Sequence, residues 1–324
     1  MSLADVVAVL QQKKSFLITG HVSPEGDVLG SGLALAMALR QMGKTAEVIN
    51  KDPFPRQLLF LPHKGLFSQR ETVTPSSEVL IVVDCGTLER TGYPRPLPAE
   101  ILVNIDHHVT NPAFGDVNWV VPTATATGEM IYDLLKALGT EITPPIATAL
   151  YTALATETGS FRYVNTSSKT LRMAAELIES GADLARIAHA LYDANTSGQM
   201  QLLGEVLTQM EISVDDRLAW IRVTQSQLQR TRTTLEDTED FVNYPRSIEK
   251  VEVAIFFREA GPDQYKISFR SQGKVDVALL AKRLGGGGHT YAAGCTCFGA
   301  WEQVKERVLS TAREAIYDVS GAVR

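Results

Sequence analysis

Val79–Val83 reads V-L-I-V-V, an unbroken apolar run that stops on Asp84. A strand whose alternating side chains are all apolar must be covered on both faces, which happens chiefly in parallel sheets. Ile101–Ile105 has the same character and stops on Asp106. Around these runs the pattern alternates. Phe16–Thr19 is a short strand ended by Gly20, Val28–Met42 a helical stretch closed by Gly43, and Thr45–Asn50 a strand. Ala124–Leu138, closed by Gly139, and Pro144–Thr156 are two further helices. This rhythm predicts βαβ units, hence an α/β fold with a doubly wound, mainly parallel sheet.

The second half reads differently. From Ser168 to about Met210 the pattern is helical, with Ser168 and Asp183 as caps. Glu211–Thr224 alternates as a strand pair around Asp215–Asp216. Val251–Arg258 and Gln264–Arg270 form a second pair joined through Gly261–Pro262, and Trp301–Val319 is a terminal helix. The 324 residues suit two domains of roughly 150 residues each. The expected division is a first domain over 1–195, a helical linker over 196–211 and a smaller α/β domain over 212–324.

Composition narrows the function classes. The net charge of −6 argues against a broadly basic surface that holds a long nucleic acid polymer. Three cysteines in so long a chain argue against a disulfide framework. Lys13 and Lys14 follow the apolar stretch Val6–Leu10 instead of preceding it, so it does not read as a secretory signal. Val79–Val83 is the longest apolar run, far short of the ~20 residues a membrane span needs. A reduced, cytoplasmic protein with no membrane partner is expected.

Chemistry concentrates at the predicted strand ends. His21, Glu25 and Asp27 follow the first strand as H-V-S-P-E-G-D, Asp84 ends the second run, and Asp106-His107-His108 ends the third. Ligands of open parallel sheets collect outside the carboxyl ends of strands. Glu157, in A-T-E-T-G after a predicted helix, is a fourth acidic element able to join them. Any one of these is most often a cap or turn residue. Four together in one alternating domain point to a metal site. Carboxylates packed without cations would repel, and a mixed carboxylate–imidazole set suits Mn²⁺ or Mg²⁺ better than a thiolate zinc site. Two such ions can share a carboxylate, and Asp84 stands where it could bridge. His63 and His189 lack such company and read as structural or surface residues.

In the second half, Gly285–Gly288 followed by His289 is a run that exposes backbone N–H groups and allows close approach of a ligand. Glycine runs are more commonly flexible turns. Here residues 264–289 carry five basic residues against one acidic one, and Arg270 is the best candidate for a bidentate phosphate clamp. Lys282 and Arg283 are the weaker members. Cys85 reads as a small buried residue, and Cys295-x-Cys297 lacks the second pair a zinc site needs.

These elements resemble the DHH phosphoesterase superfamily, named for the triplet Asp106-His107-His108. Gly285–His289 with Ala292-Ala293-Gly294 resembles the DHHA1 domain, and the two motif sets span residues 16 to 294. The pairing is similar to the subgroup of oligoribonucleases that are also phosphatases of adenosine 3′,5′-bisphosphate. The resemblance implies His21, Glu25 and Asp84 as ligands of one metal, and Asp27, Asp84, His107 and Glu157 of another. It further implies Asp106 orienting a histidine, His108 at the scissile phosphate, and Arg270, Gly286, Gly287, Gly288 and His289 holding the nucleotide's remote end. Two Mn²⁺ ions are the implied cofactors, with Mg²⁺ or Co²⁺ conceivable, and a homodimer the implied assembly. The family usually has Asp where this chain has Glu25 and Glu157. Each change keeps a carboxylate on an arm longer by one methylene, and the two are expected to compensate for each other.

The implied function is hydrolysis of short nucleotide substrates: very short RNA, and the 3′-phosphate of adenosine 3′,5′-bisphosphate. Two metals would activate a bridging water for this step. The alternatives are a cyclic or linear dinucleotide phosphodiesterase, a pyrophosphatase or exopolyphosphatase, and a weakly catalytic nucleotide-binding regulator.

Overall fold

The computed structural model describes residues 2–62, 65–74, 77–288 and 290–321. The chain divides into two compact units, residues 1–194 and 195–324.

The first unit follows the predicted rhythm. In chain order it comprises α1 (Leu3–Gln12), β1 (Ser15–Thr19), α2 (Gly26–Gln41), β2 (Thr45–Asn50), β3 (Phe67–Gln69), β4 (Val79–Val83), β5 (Ile101–Asp106) and β6 (Val117–Val120). Then come α3 (Thr127–Ala137), α4 (Pro144–Glu157), α5 (Ser168–Glu179) and α6 (Leu184–Ala188), which runs into a π-helical turn over His189–Asp193. The six strands form one parallel sheet in the order β3-β2-β1-β4-β5-β6. Sequential order reverses between β1 and β4, so the carboxyl ends of these neighbours border the switch-point crevice.

β4 is buried along its whole length, as its composition requires. One sheet face, through Phe16, Ile18, Ile81 and Val103, shares a core with α2, α3 and α4. The other, through Leu17, Ile49 and Leu80, is covered by irregular segments carrying Val73 and Tyr93. The crossovers on that side therefore lack α-helices, and the one after β4 contains only a 3₁₀ turn, Leu88–Thr91. The short edge strands β3 and β6 were not apparent in the sequence.

Helices α2 and α4 touch at backbone distance. A Cβ on Gly30 would lie 2.4 Å from the Ala149 carbonyl oxygen, and one on Gly26 would lie 2.4 Å from Thr156 Oγ1. Only glycine permits this approach. It brings the last residue of α4, Glu157, to the first turn of α2, which carries Asp27.

The second unit begins with α7 (Ser197–Thr208). The stretch expected as a helical linker is largely helical, and it buries Leu202, Leu203 and Val206 in this unit's core. Next come β7 (Glu211–Ile212), β8 (Leu218–Val223), α8 (Gln225–Thr231), α9 (Asn243–Arg246), β9 (Val253–Gly261) and β10 (Gln264–Ser271). Last are α10 (Val277–Arg283), β11 (Gly287–Gly288), β12 (Ala292–Phe298) and α11 (Trp301–Gly321). The sheet order is β11-β12-β10-β9-β8-β7, with β8 and β9 parallel and the other pairs antiparallel. Helices α10 and α11 cover one face, and α7 and α8 the other. Among the described residues no helix is long and apolar enough to cross a membrane.

Candidate metal centre

Each strand end at the switch point delivers a polar group into one small volume. After β1, the Gly20 backbone presses against β4: a Cβ there would lie 2.9 Å from the Val83 carbonyl. His21 follows, buried, with its own carbonyl accepting from Asn50 Nδ2 at 3.0 Å. Glu25 precedes α2 as its N-terminal cap residue and is largely exposed. Asp27, in the first turn, is fully buried. Its carboxylate accepts the backbone N–H groups of Thr127 (2.7 Å) and Gly128 (2.8 Å), the unpaired donors at the start of α3, and the Ser31 hydroxyl (3.0 Å).

Asp84 leaves β4 in the left-handed region, φ 50°. Asp tolerates that conformation better than most residues. Its N–H donates to the Ile105 carbonyl at 3.0 Å, so the turn is tied to β5. From the end of β5 come Asp106, His107 and His108, all buried. Asp106 holds His108, Oδ1 to Nδ1 at 2.7 Å, and accepts Asn111 Nδ2 at 2.6 Å on its other oxygen. Asn111 carries no feature that singles it out in the sequence.

The resulting geometry centres on Asp84. Its Oδ1 lies 3.4 Å from His107 Nε2 and 3.8 Å from His108 Nδ1, and its Oδ2 lies 3.8 Å from His21 Nε2. His21 Nε2 also faces Glu25 at 3.7 Å, and His107 Nε2 faces Asp27 at 3.9 Å. Ligand atoms of His21, Glu25 and Asp84 lie within 4.8 Å of one another, as do those of Asp27, His107 and Glu157, and those of Asp84, His107 and His108. The structure therefore brings together the strand-end residues of the first unit and adds Glu157 to them.

The donor chemistry fits divalent cations. His21 Nδ1 sits 2.7 Å from the Val22 carbonyl and His107 Nδ1 3.2 Å from the Ala124 carbonyl. A carbonyl only accepts, so both rings donate at Nδ1 and turn Nε2 towards the carboxylates, the arrangement of a metal-ligating histidine. Electrostatics agree. Burial, and then the charge of Asp84, push Asp27 up to about 7. Burial pushes Glu157 well above its usual range. Burial works against ionisation of Asp84 too, but the hydrogen bond and charge of His107, with His108 and His21, hold it below the usual range. His107 is raised well above its ordinary value, because Asp84 outweighs the opposing effect of burial. Without cations, protons serve as the positive charge of this cluster.

The remaining sequence candidates lie in the second unit. Arg270 is half-buried near the end of β10 and donates to the Phe269 carbonyl at 3.0 Å. Arg258, which sequence reasoning passed over, lies on the same face of the sheet and donates to Ser268 Oγ at 2.9 Å. The glycine run is more structural than it looked. Gly285, at φ 80°, ends α10, and the Gly286 N–H donates to the Ala281 carbonyl at 2.8 Å, a C-terminal cap. A Cβ on Gly286 would lie 2.1 Å from the Gly294 carbonyl, and one on Gly288 would lie 2.5 Å from that of Ala292. Gly285 and Gly287 have open space around them, and Gly285 serves the helix end, so Gly287 is the exposed position of the run that no cap or strand contact explains. His289 and His63 lie outside the described residues, and His189 is exposed. Arg283 is taken up by Glu314 and Asp318.

Known proteins match both units. The DHH family, N-terminal domain, matches residues 15–154, and the DHHA1 domain matches residues 222–318. A bifunctional oligoribonuclease and PAP phosphatase, NrnA, of Thermus thermophilus is 38% identical over 92% of this chain and 89% of its own length. The Bacillus subtilis protein of the same description is 26% identical over 94% and 96%. The crystal structure of an exopolyphosphatase-related protein from Bacteroides fragilis superposes with a TM-score of 0.86 at 26% identity, covering 98% of this chain and 95% of that one.

Proposed function

The chain belongs to the DHH family and is a hydrolase of phosphoric esters, and from that premise we propose that it acts on very short RNA and on adenosine 3′,5′-bisphosphate. The observation that carries this reading is the 38% identity to the Thermus NrnA across nearly both whole chains, together with an Asp84 carboxylate that turns one oxygen to each of His21 and His107. His21, Glu25 and Asp84 would hold one divalent cation, and Asp27, Asp84, His107 and Glu157 a second. Mn²⁺ is the proposed ion. Bound, such ions supply Lewis-acid charge and make a water nucleophilic at neutral pH.

The chain's own residues supply the rest. Asp27, fixed by the start of α3, gives a ligand set that cannot rotate away. Asp106 holds His108 in one orientation, so a ring placed at the scissile phosphate would need no rearrangement as charge develops. In the second unit, Arg270 and Gly287 would take the nucleotide's other end, a preference for short substrates that the net charge of −6 supports. A homodimer in the cytoplasm belongs to the same reading.

The test is a turnover panel with Mn²⁺-loaded protein: adenosine 3′,5′-bisphosphate, pApA, a five-nucleotide RNA, a cyclic dinucleotide and pyrophosphate. Release of phosphate from the first and of mononucleotides from the second and third is expected. Turnover of pyrophosphate alone would replace this reading with a pyrophosphatase. Binding without turnover would point to a regulator.

A further inference from the structure

Among the described residues, Arg90 is the one cation set beside the histidines of the metal centre without a carboxylate to neutralise it. It lies in the 3₁₀ turn Leu88–Thr91, within the irregular crossover after β4. Its carbonyl accepts the Val22 N–H at 2.8 Å, which ties this turn to the loop that carries His21. Its guanidinium Nη1 lies 3.4 Å from His108 Nε2. Arginine only donates, so His108 accepts on Nε2 while its Nδ1 faces Asp106 at 2.7 Å. Arg90 thus stands next in line after Asp106 and His108.

Three further observations bear on its role. Arg90 is exposed, while His21, Asp84, Asp106, His107 and His108 behind it are all buried. Its neighbour Glu89 is committed elsewhere, to Arg95 at 2.7 Å, and among the described residues no carboxylate pairs with Arg90. Its charge also acts on His21 and Cys85, so it lies within electrostatic reach of both sides of Asp84. A guanidinium serving only the fold would be expected to find a carboxylate or several carbonyl acceptors. This one points a planar fork of donors from solvent towards the metal centre, with a single weak acceptor among the described residues.

We infer that Arg90 is a catalytic residue whose guanidinium binds a non-bridging oxygen of the scissile phosphate, next to His108, and stabilises the charge that builds there. This rests on the phosphoesterase reading above. In the step it serves, the water oxygen forms a bond to phosphorus as the ester P–O bond breaks. The water gives up a proton, and the leaving oxygen takes one. Arg90 stays protonated throughout and contributes only hydrogen bonds and charge. The sequence signal is slight: an arginine six residues after the Asp that ends a buried strand.

The experiment compares full-length wild type with Arg90→Gln and Arg90→Lys, each loaded with Mn²⁺. The substrates are adenosine 3′,5′-bisphosphate and the two phosphorothioate diastereomers of pApA, and Mn²⁺ affinity is measured by calorimetry. Removing a donor to a developing oxyanion costs about 10²–10³ in kcat, so that loss is expected in Arg90→Gln, with Mn²⁺ affinity held within about twofold. Arg90→Lys should recover only part of the rate, since it lacks the fork. Sulfur accepts hydrogen bonds poorly, so wild type should disfavour one diastereomer and Arg90→Gln should lose that preference. The inference is overturned by an Arg90→Gln rate within about threefold of wild type, by a slow variant that keeps the preference and so only positions His108, or by loss of Mn²⁺ binding. A wild type inactive on every substrate overturns the phosphoesterase reading and this inference together.

Discussion

Asp84 and His107 approach to 3.4 Å, Oδ1 to Nε2, while the other oxygen of the same carboxylate turns to His21 at 3.8 Å. On the proposed ligand sets this one carboxylate would serve both ion sites. Its left-handed backbone suits Asn as well as Asp, so Asp84→Asn removes charge without adding strain. Losing even a supporting group of a metal site costs about 10–100-fold, and loss of the shared ligand should exceed that. The expected outcome is a drop in kcat of more than about 100-fold with fewer Mn²⁺ equivalents bound in a titration. Full stoichiometry and near-normal rate would exclude a bridging Asp84.

The protons that stand in for cations make the metal-free protein sensitive to pH. Asp27 ionises in the fold only near about 7, against about 4 in an unfolded chain. Between those values the folded state binds the extra proton, so stability falls as pH rises. His107 acts in the same direction, because Asp84 keeps its proton on above the usual histidine range despite burial. Melting in EDTA should therefore occur at a lower temperature at pH 7.5 than at pH 5.5. Saturating Mn²⁺ should shrink the difference, since it binds the deprotonated ligands of the folded state. Asp27→Asn should weaken the dependence. An EDTA-treated protein as stable at pH 7.5 as at pH 5.5 would show that the cluster is not proton-loaded.

The parallel sheet and its chemical edge were legible because both rest on local pattern. Val79–Val83 can hardly be anything but a strand buried on both faces, and Asp84 and Asp106 mark where such strands end. Asn111, Arg90 and the backbone donors of Thr127 and Gly128 were not legible. Their roles depend on which turn folds back on which, and no periodicity records that. The glycine run misled in part. Gly286 and Gly288 are demanded by strand contacts with Gly294 and Ala292, and sequence alone does not separate close backbone packing from ligand access. The helical character of 196–211 was legible, but its place in the second unit's core through Leu202, Leu203 and Val206 was not, because spacing marks an apolar face without saying which core covers it.

Glu25 and Glu157 fall into separate ligand sets, so their longer arms need not offset each other. Glu157 ends a helix beside fully buried Asp27, whereas Glu25 is 57% exposed and meets His21 Nε2 from the solvent side at 3.7 Å. A misplacement of about 1 Å at a reacting centre can cost about 10²-fold. Glu157→Asp is therefore expected to lower kcat/KM by about 10–100-fold, and Glu25→Asp by only a few fold. Because the charge of Glu25 reaches Glu157, the double variant should deviate modestly from additivity. A double variant faster than Glu157→Asp alone would instead establish mutual compensation.

Gly30 tests whether helix packing sets the metal geometry. A Cβ at this position would sit 2.4 Å from the Ala149 carbonyl oxygen and 3.1 Å from Ala153 Cβ. The first obstacle is backbone, so no side chain can swing aside, and α4 must move away from α2. Forcing extra volume into a packed interior costs about 1–3 kcal/mol. Gly30→Ala should thus lower the unfolding free energy by about that amount in urea. The displacement also separates Glu157 from Asp27 while leaving His21, Glu25 and Asp84 in place, since those three do not sit on α4. Mn²⁺ titration of the folded variant should therefore show one site weakened about tenfold or more and the other near its wild-type affinity. Equal weakening of both sites would mean that α4 does not carry a ligand of one ion alone.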